Sequence, residues 1–494
     1  MNTFGLDLTK LDDDEDLKFR TIRRVDQVTI PLKGGFGSTL NPSVEVGDEV
    51  EAGEIIARDD QSLSTPVHSS LDGEVVGFTE INYFHEETLE DFENTVPGVR
   101  IKANPDQEVT GEGVSWQKEK PANLRELLYL AGLTSFGQTG IPTEFRSSYF
   151  SPSEVEEIVI NGVRLAPFTR HRVDYEEEFS AYKKGLRILA RCFPNSQLHF
   201  ALDEEAYKSI DSVSSSQKIK AHSVAEGSYM ERPKMLAREL VGVDELDEGG
   251  FLLDHGVLAL DEFIPLAAYR AVAKGIPFVR NRFSLAGPGA EASLYEAPVG
   301  APVGNLVKNE IRDGGSYLDI MGGPLSGKKL ESLELPLGKE FDSLVRLEEP
   351  KDTDTLAWMQ TGLTRNSYTN AFFSALVPGK KKEADTGLHG EERPCVYCGY
   401  CSEVCPVDIL PFQIYQTHTH DMIDEVNRLQ PQRCVDCGLC SYVCPSKLPL
   451  SETIKEAKKS QPGEVNNYVN YEETEEGLRP KDIGSDQGRG EEVE

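Results

Sequence analysis

Residues 395–406 read CVYCGYCSEVCP, and residues 434–445 read CVDCGLCSYVCP. Each run is C-x2-C-x2-C-x3-C-P. The first is Cys395, Cys398, Cys401 and Cys405 before Pro406; the second is Cys434, Cys437, Cys440 and Cys444 before Pro445. Every cysteine of the second run lies 39 positions after its counterpart. This is the two-cluster ferredoxin run of bacteria, in which the fourth cysteine ligates the other cluster. A [4Fe–4S] cubane needs four thiolates at tetrahedral corners. One tight loop can offer three, and the fourth has to arrive from another direction. The expected sets are Cys395, Cys398, Cys401 with Cys444, and Cys434, Cys437, Cys440 with Cys405. Gly399 and Gly438 let the backbone turn close to the sulfides, so that N–H groups face their negative charge. A structural zinc site takes four ligands, often as two C-x2-C pairs. It does not account for three close thiols plus a fourth, twice over.

The rest of the composition agrees with metal ligation. Eight of the nine cysteines fall between 395 and 444. Disulfides scatter to staple a fold, whereas clustered cysteines in a chain without a secretion signal read as metal ligands. The ninth, Cys192, follows the apolar LRILA and reads as a core thiol. His418 and His420, between the runs, read as exposed polar residues, because the thiols already fill both clusters. The formal net charge of −33 argues against nucleic acid and against adhesion to anionic lipid. Its plainest meaning is a solvated acidic surface. The acidic start MNTFGLDLTKLDDDEDLKF lacks the basic and apolar regions of a signal peptide. No apolar run is long enough to span a bilayer. The expectation is a cytosolic chain that docks on membrane subunits without a direct span.

The elements that must carry these residues follow from pattern. A chain of 494 residues holds roughly three to five domains. Residues 1–26 read as a flexible acidic lead. Residues 27–115 show short β-rich runs split by Gly, Pro, Asn and Asp, a small all-β unit. VEVGDEVEAGEII and SSLDGEVVGF are similar to the two halves of a lipoyl or biotinyl domain. No lysine occurs from Glu54 to Val76, so a barrel-sandwich hybrid that is not lipoylated is expected. Residues 120–275 alternate strands (EIVIN, QLHFAL, KIKAHSV) with helices, among them one placing Phe179, Tyr182, Leu186 and Leu189 on one face. That order predicts an α/β layer with a mainly parallel sheet. Residues 276–340 return to short strands, suggesting a β-grasp-like unit. Residues 341–385 read as a linker and 386–460 as the ferredoxin domain. Helical spacing of Ile414, Met422, Val426 and Leu429 favours a helical one. The tail 461–494 is polar and acidic and reads as disordered.

With the parts in this order, the chain resembles the RnfC family, the C subunits of the Rnf electron-transport complex, over nearly its whole length. The resemblance rests on PLKGGFG, STPVHSSLDGEVV, GLTSFGQTGIPT, LDHGVLALDEFIPLAAYRAVAKGIPFVRNRFSLAG and MGGPLSG, together with the cysteine runs. It implies a multidomain α/β plus β fold: a barrel-sandwich hybrid, a complex I flavoprotein-like α/β domain, a β-grasp (SLBB-like) unit and a helical two-cluster ferredoxin. It implies a peripheral subunit on the cytoplasmic side of the cell inner membrane, in an ion-translocating ferredoxin:NAD oxidoreductase complex. Such a subunit passes electrons between a soluble donor (NADH, ferredoxin or a cytochrome) and the membrane subunits. The implied cofactors are two [4Fe–4S] clusters, with FMN and NADH as candidates at a pocket of Gly137, Gly140, Thr143 and Asn161.

Departures from the family fall on that pocket. The family's flavin loop reads roughly G-x-G-G-A-G-F-P-T; here it is SFGQTGIPT. Gly137, Gly140, Pro142 and Thr143 match, while a serine and Gln138 replace glycines that let N–H groups crowd a phosphate. The family's N-x-x-E-C-E-P is NGVRLAP here: Asn161 and Pro167 match, but Arg164 and Ala166 replace both glutamates. Tyr229 precedes MERP, where the family has a tyrosine-proline-glycine stretch. Two readings follow. NADH gives hydride to FMN, which feeds the clusters singly, or a docking and electron-wire module without flavin or NADH is reduced by another redox protein.

Overall fold

In the computed structural model the described residues are 17–33, 39–58, 65–82, 95–104, 109, 111–133, 155–210, 218–224, 227–243, 252–312, 314–349, 392–459, 471–474 and 477–480. Near the N-terminus four strands form an antiparallel sheet in the order Gln27–Pro31, Thr95–Ala103, Gly73–Asn82, Glu49–Val50. A two-stranded sheet, Ile55–Ala57 with Val67–His68, closes the other side. Alternate side chains point inward, as a half-buried strand requires. Val28, Ile30, Ile56, Val75, Val99 and Ile101 thus share one core.

The second layer is a parallel sheet in the order Ile219–Val224, Gln197–Asp203, Glu157–Gly162, Val257–Asp261. Its central strands are covered on both faces, and they read as continuous apolar runs. Helices Pro121–Leu130, Phe179–Cys192 and Ile264–Lys274 pack on one face and Pro233–Val241 on the other. Phe179, Tyr182, Leu186, Leu189 and Cys192 are all buried there.

The third layer is a mixed six-stranded sheet in the order Lys18–Thr21, Ser293–Pro298, Arg280–Ala286, Ser343–Glu348, Tyr317–Met321, Lys328–Leu330. It reaches beyond the expected 276–340 unit. Lys18–Thr21 lies in the stretch read as a flexible lead, yet it pairs in parallel with Ser293–Pro298. Lys18 meets Glu291, Arg20 lies 3.1 Å from Glu310, and Phe19 sits 5.0 Å from the Arg282 guanidinium. These partners are distant in sequence, so no local pattern announces the strand. Ser343–Glu348, in the stretch read as linker, pairs with both Arg280–Ala286 and Tyr317–Met321. Within the tail read as disordered, Tyr471–Thr474 and Gly477–Pro480 pair antiparallel.

The cysteine region is helical: Tyr400–Glu403, Pro411–Thr419, Ile423–Arg428, Leu439–Tyr442 and Leu450–Lys459. The 39-residue repeat extends to the backbone. Tyr397 and Asp436, Gly399 and Gly438, and Asp408 and Lys447 form pairs at that spacing, and all have positive φ. Ile414 and Val426 are buried as the helical spacing predicts, but Met422 is exposed. The chain turns at Asp421, φ 54°, so the two helices do not share one continuous face. Among the described residues no helix is long and apolar enough to cross a membrane.

Candidate metal centres and the adjoining polar pocket

Each cysteine run loops into a single helical turn, which begins after Gly399 in one case and after Gly438 in the other. The two runs interleave. A cavity of about 150 Å³ is lined by Cys395, Cys398, Cys401 and Cys444. A tighter one of about 20 Å³ is lined by Cys405, Cys434, Cys437 and Cys440. Three thiols of one run and the fourth of the other therefore frame each space. Among the described residues, no three His, Cys, Asp or Glu side chains gather closely enough for a single metal ion. The thiols surround spaces instead, which is what a cluster with separated iron corners requires.

The two sets sit in different surroundings. Cys398 is exposed, and beside it Tyr397 is 76% exposed and Val396 63% exposed. Cys434 and Cys440 are buried in the core shared with Val159, Ala201 and Leu236 of the α/β layer. Burial raises the Cys434 thiol to about 12 and the Cys437 thiol to about 11. Buried sulfur of this kind becomes a thiolate ligand when a cationic iron centre supplies the counter-charge. The donor set and its cavities fit iron–sulfur clusters.

The α/β layer ends in a dense set of charges where a parallel sheet ordinarily binds ligands, at the carboxyl ends of its strands. Asn161, Asp203 and Asp261 are the last or nearly last residues of three neighbouring strands, and Glu262 follows directly. The segment 163–175 lies over them. Arg164 reaches Glu262 at 3.0 Å and Asp261 at 3.6 Å. His171 bridges Asp203 at 2.6 Å and Glu262 at 2.9 Å. Arg172 pairs with Asp261, and the Tyr175 hydroxyl donates to Glu262 at 3.1 Å. Burial works against every charge here, but Arg164 and His171 hold the Glu262 carboxyl well below the usual carboxylate range. Burial likewise opposes charging His171, and its two carboxylate partners raise it to about 9. Glu231 accepts from the backbone N–H of Leu165 and Ala166 and from the Thr169 hydroxyl. A polar cavity of about 60 Å³ remains, lined in part by Asn161, Arg164, Thr169, Arg232, Gly323 and Ser326.

Two family models match the chain: the RnfC barrel-sandwich hybrid domain over residues 10–96 and a 4Fe-4S dicluster domain over residues 383–448. In its N-terminal domain and its cysteine region the chain is similar to the RnfC family. The C subunit of the ion-translocating oxidoreductase complex of Pseudomonas aeruginosa is 24% identical over 393 residues, covering 78% of this chain and 46% of the relative. The C subunit of the proton-translocating ferredoxin:NAD(+) oxidoreductase complex of Clostridium ljungdahlii is 23% identical over 413 residues, covering 81% and 80%. The chain thus spans about half the length of the Pseudomonas relative. A crystal structure of an NAD+-reducing [NiFe]-hydrogenase in the H2-reduced state aligns with TM-score 0.40 at 15% identity, over 70% of this chain and 64% of that one.

Within this family frame, all eight cluster cysteines lie among the described residues. Gly137, Gly140 and Thr143 lie outside them. Asn161 is described and buried. Its amide donates to the Glu231 carbonyl at 2.7 Å, and its carbonyl oxygen accepts from Val163 N–H at 3.3 Å. That side chain is engaged with protein, and the adjoining space is small beside the roughly 300 Å³ or more of an ordinary cofactor pocket. Of the four pocket residues, Asn161 alone is described, and its side chain is held by protein contacts. Sequence reasoning missed Asp203, Glu231, Asp261, Glu262, His171 and Arg172. The one local signal was the pair of acids closing the apolar strand in VLALDE.

Proposed function

We propose that this chain is a peripheral iron–sulfur subunit of an ion-translocating oxidoreductase, relaying electrons between a soluble donor and that complex's membrane subunits. The observation that carries the reading is the pair of cavities, each framed by three thiols of one cysteine run and the fourth of the other. Cys395, Cys398, Cys401 and Cys444 hold one [4Fe–4S] cluster in this reading, and Cys405, Cys434, Cys437 and Cys440 hold the second. When bound, such clusters supply one-electron carriers. The chain's own part is to fix the thiols, exclude water around the buried set and leave the other set open beside Val396 and Tyr397. A partner protein approaches on that open face. The Clostridium relative points to ferredoxin and NAD(+) as donor or acceptor, and a cytochrome is a third candidate. The protein sits on the cytoplasmic side of the inner membrane in this reading, with no membrane-spanning helix among the described residues.

A second reading concerns how electrons enter. Arg164, standing where the family carries a glutamate, spends its charge on Glu262 and Asp261. This favours a chain without bound FMN or NADH, reduced directly by another redox protein.

Anaerobic purification with iron retained tests both readings. The first expects about eight irons per chain, from two cubanes of four. Cys444→Ser and Cys405→Ser are each expected to lose about half of that iron, from different centres by electron paramagnetic resonance. Zinc in place of iron would sink the proposal. For the second reading, NADH added with FMN leaves the cluster absorbance unchanged, while dithionite or reduced ferredoxin bleaches it. Bleaching by NADH would restore the flavin route.

A further inference from the structure

Two cations from outside the cysteine runs hold the surroundings of the second thiol set: Lys458 directly, and Arg232 through the turn at Ser326. Lys458, on the helix Leu450–Lys459, donates to the Cys434 carbonyl and to the Asp436 carboxylate, both at 2.7 Å. Arg232 comes from the α/β layer. It stands at the start of the helix Pro233–Val241, and its guanidinium donates to the Ser326 hydroxyl. Ser326 belongs to MGGPLSG, a motif to which the proposed function gives no task. The neighbours of these two residues reach the second run. Tyr229, Leu325 and Cys437 pack against one apolar cluster around Leu439, and the Leu325 carbonyl lies directly over Gly438.

We propose that Arg232 is a positioning and tuning residue for the second iron–sulfur centre, holding its loop against the α/β layer and raising its reduction potential. Reduction adds negative charge, so a fixed positive charge nearby favours the reduced state; net charge and hydrogen bonding around sulfur set cluster potentials. Ser326, which Arg232 holds, is the chain neighbour of Leu325, whose carbonyl lies directly over Gly438, the residue after Cys437. The matching place in the first run has no such neighbour: a Cβ added at Gly399 would meet nothing within 4 Å. Arg232 therefore acts on one centre and not equally on both. It also ties that centre to the polar cavity it lines with Asn161 and Arg164.

The inference rests on the two-cluster reading, and iron content separates the failure of one from the failure of the other. The full-length, iron-loaded chain is titrated with dithionite and followed by electron paramagnetic resonance, for the native sequence and for Arg232→Gln, Arg232→Lys and Lys458→Gln. Arg232→Gln is expected to keep its iron and move one of two reduction steps to lower potential. Lys458→Gln is expected to move the same step, which marks it as the second centre. Arg232→Lys is expected to restore most of the shift. Full iron with both steps unmoved in Arg232→Gln, or both moved equally, overturns the proposal. Should Arg232→Gln lose iron, Arg232→Lys decides: native iron and potential support the charge role, and the same loss shows packing alone and overturns it.

Discussion

Gly399 and Gly438 occupy the same place in the two cysteine runs, yet alanine is expected to act very differently at each. Both lie in the left-handed region, at φ 78° and 73°. A side chain there costs about 1–2 kcal/mol from backbone strain alone. Around Gly399 an added Cβ meets nothing within 4 Å, so strain is the whole cost. At Gly438 the same atom lands 1.7 Å from the Leu325 carbonyl oxygen, and contacts under 3.0 Å are essentially never formed. The obstacle is backbone, so no flexible side chain can swing aside. The second run and the MGGPLSG turn must separate, and overpacking of this kind adds about 1–3 kcal/mol. Gly399→Ala is thus expected to cost about 1–2 kcal/mol and Gly438→Ala about 2–5 kcal/mol. Anaerobic urea titration of the iron-loaded chains, read by cluster absorbance and far-ultraviolet circular dichroism, measures both. Gly438→Ala should also release iron from the second centre first. Equal midpoints for the two variants, or a larger loss for Gly399→Ala, would refute the close seating of the second run on Leu325.

Other expectations come from the charges at the sheet edge. His171 has its folded-state value raised from 6.5 to about 9 by Glu262 and Asp203 against the opposing effect of burial, on the order of 3 kcal/mol at 1.36 kcal/mol per unit. A raised histidine contributes fully below pH 6.5, and its contribution disappears as pH climbs through about 9. The urea midpoint should therefore fall between those values in the native chain and flatten in His171→Gln; identical pH profiles would count against the bridge. Restoring the family's acid with Arg164→Glu places a fourth carboxylate among Asp261, Glu262 and Glu231. Removing one partner of a buried pair costs about 3–5 kcal/mol, and repulsion adds to it. A large fall in melting temperature is expected for Arg164→Glu and a small one for Arg164→Lys; a native melting temperature for Arg164→Glu would show that Arg164 does not hold those acids.

The cluster cysteines were legible because their geometry is local: three ligands come from one loop, and the repeat fixes the fourth. The parallel sheet was legible too, since EIVIN and QLHFAL are buried on both faces and read as unbroken apolar runs. Lys18–Thr21 was not, because a short, charged strand owes its place to Glu291, Glu310 and Arg282, far along the chain. The charge network was hidden for the same reason. Its members come from separate segments, and only the fold brings Asp203, Glu231 and Glu262 to one strand edge. Arg164 and Ala166 were visible as departures from the family motif, but not what Arg164 does. The sequence held the substitution; its partner, Glu262, is 98 residues away.

That network changes what the substitution means. A buried ion pair adds little net stability compared with apolar packing, but losing one partner is costly. Arg164, His171 and Arg172 are therefore maintained by the acids they neutralise, whether or not a ligand ever enters. The segment they hold presents the backbone N–H groups of Leu165 and Ala166 to Glu231. Glu231 directly precedes Arg232, which reaches Ser326 and the loop seated on Gly438. A continuous set of contacts thus runs from the sheet edge to the second cysteine run. The segment 163–175 is thereby linked to the wall of the second cysteine run, so the α/β layer has a physical task in holding that run in place.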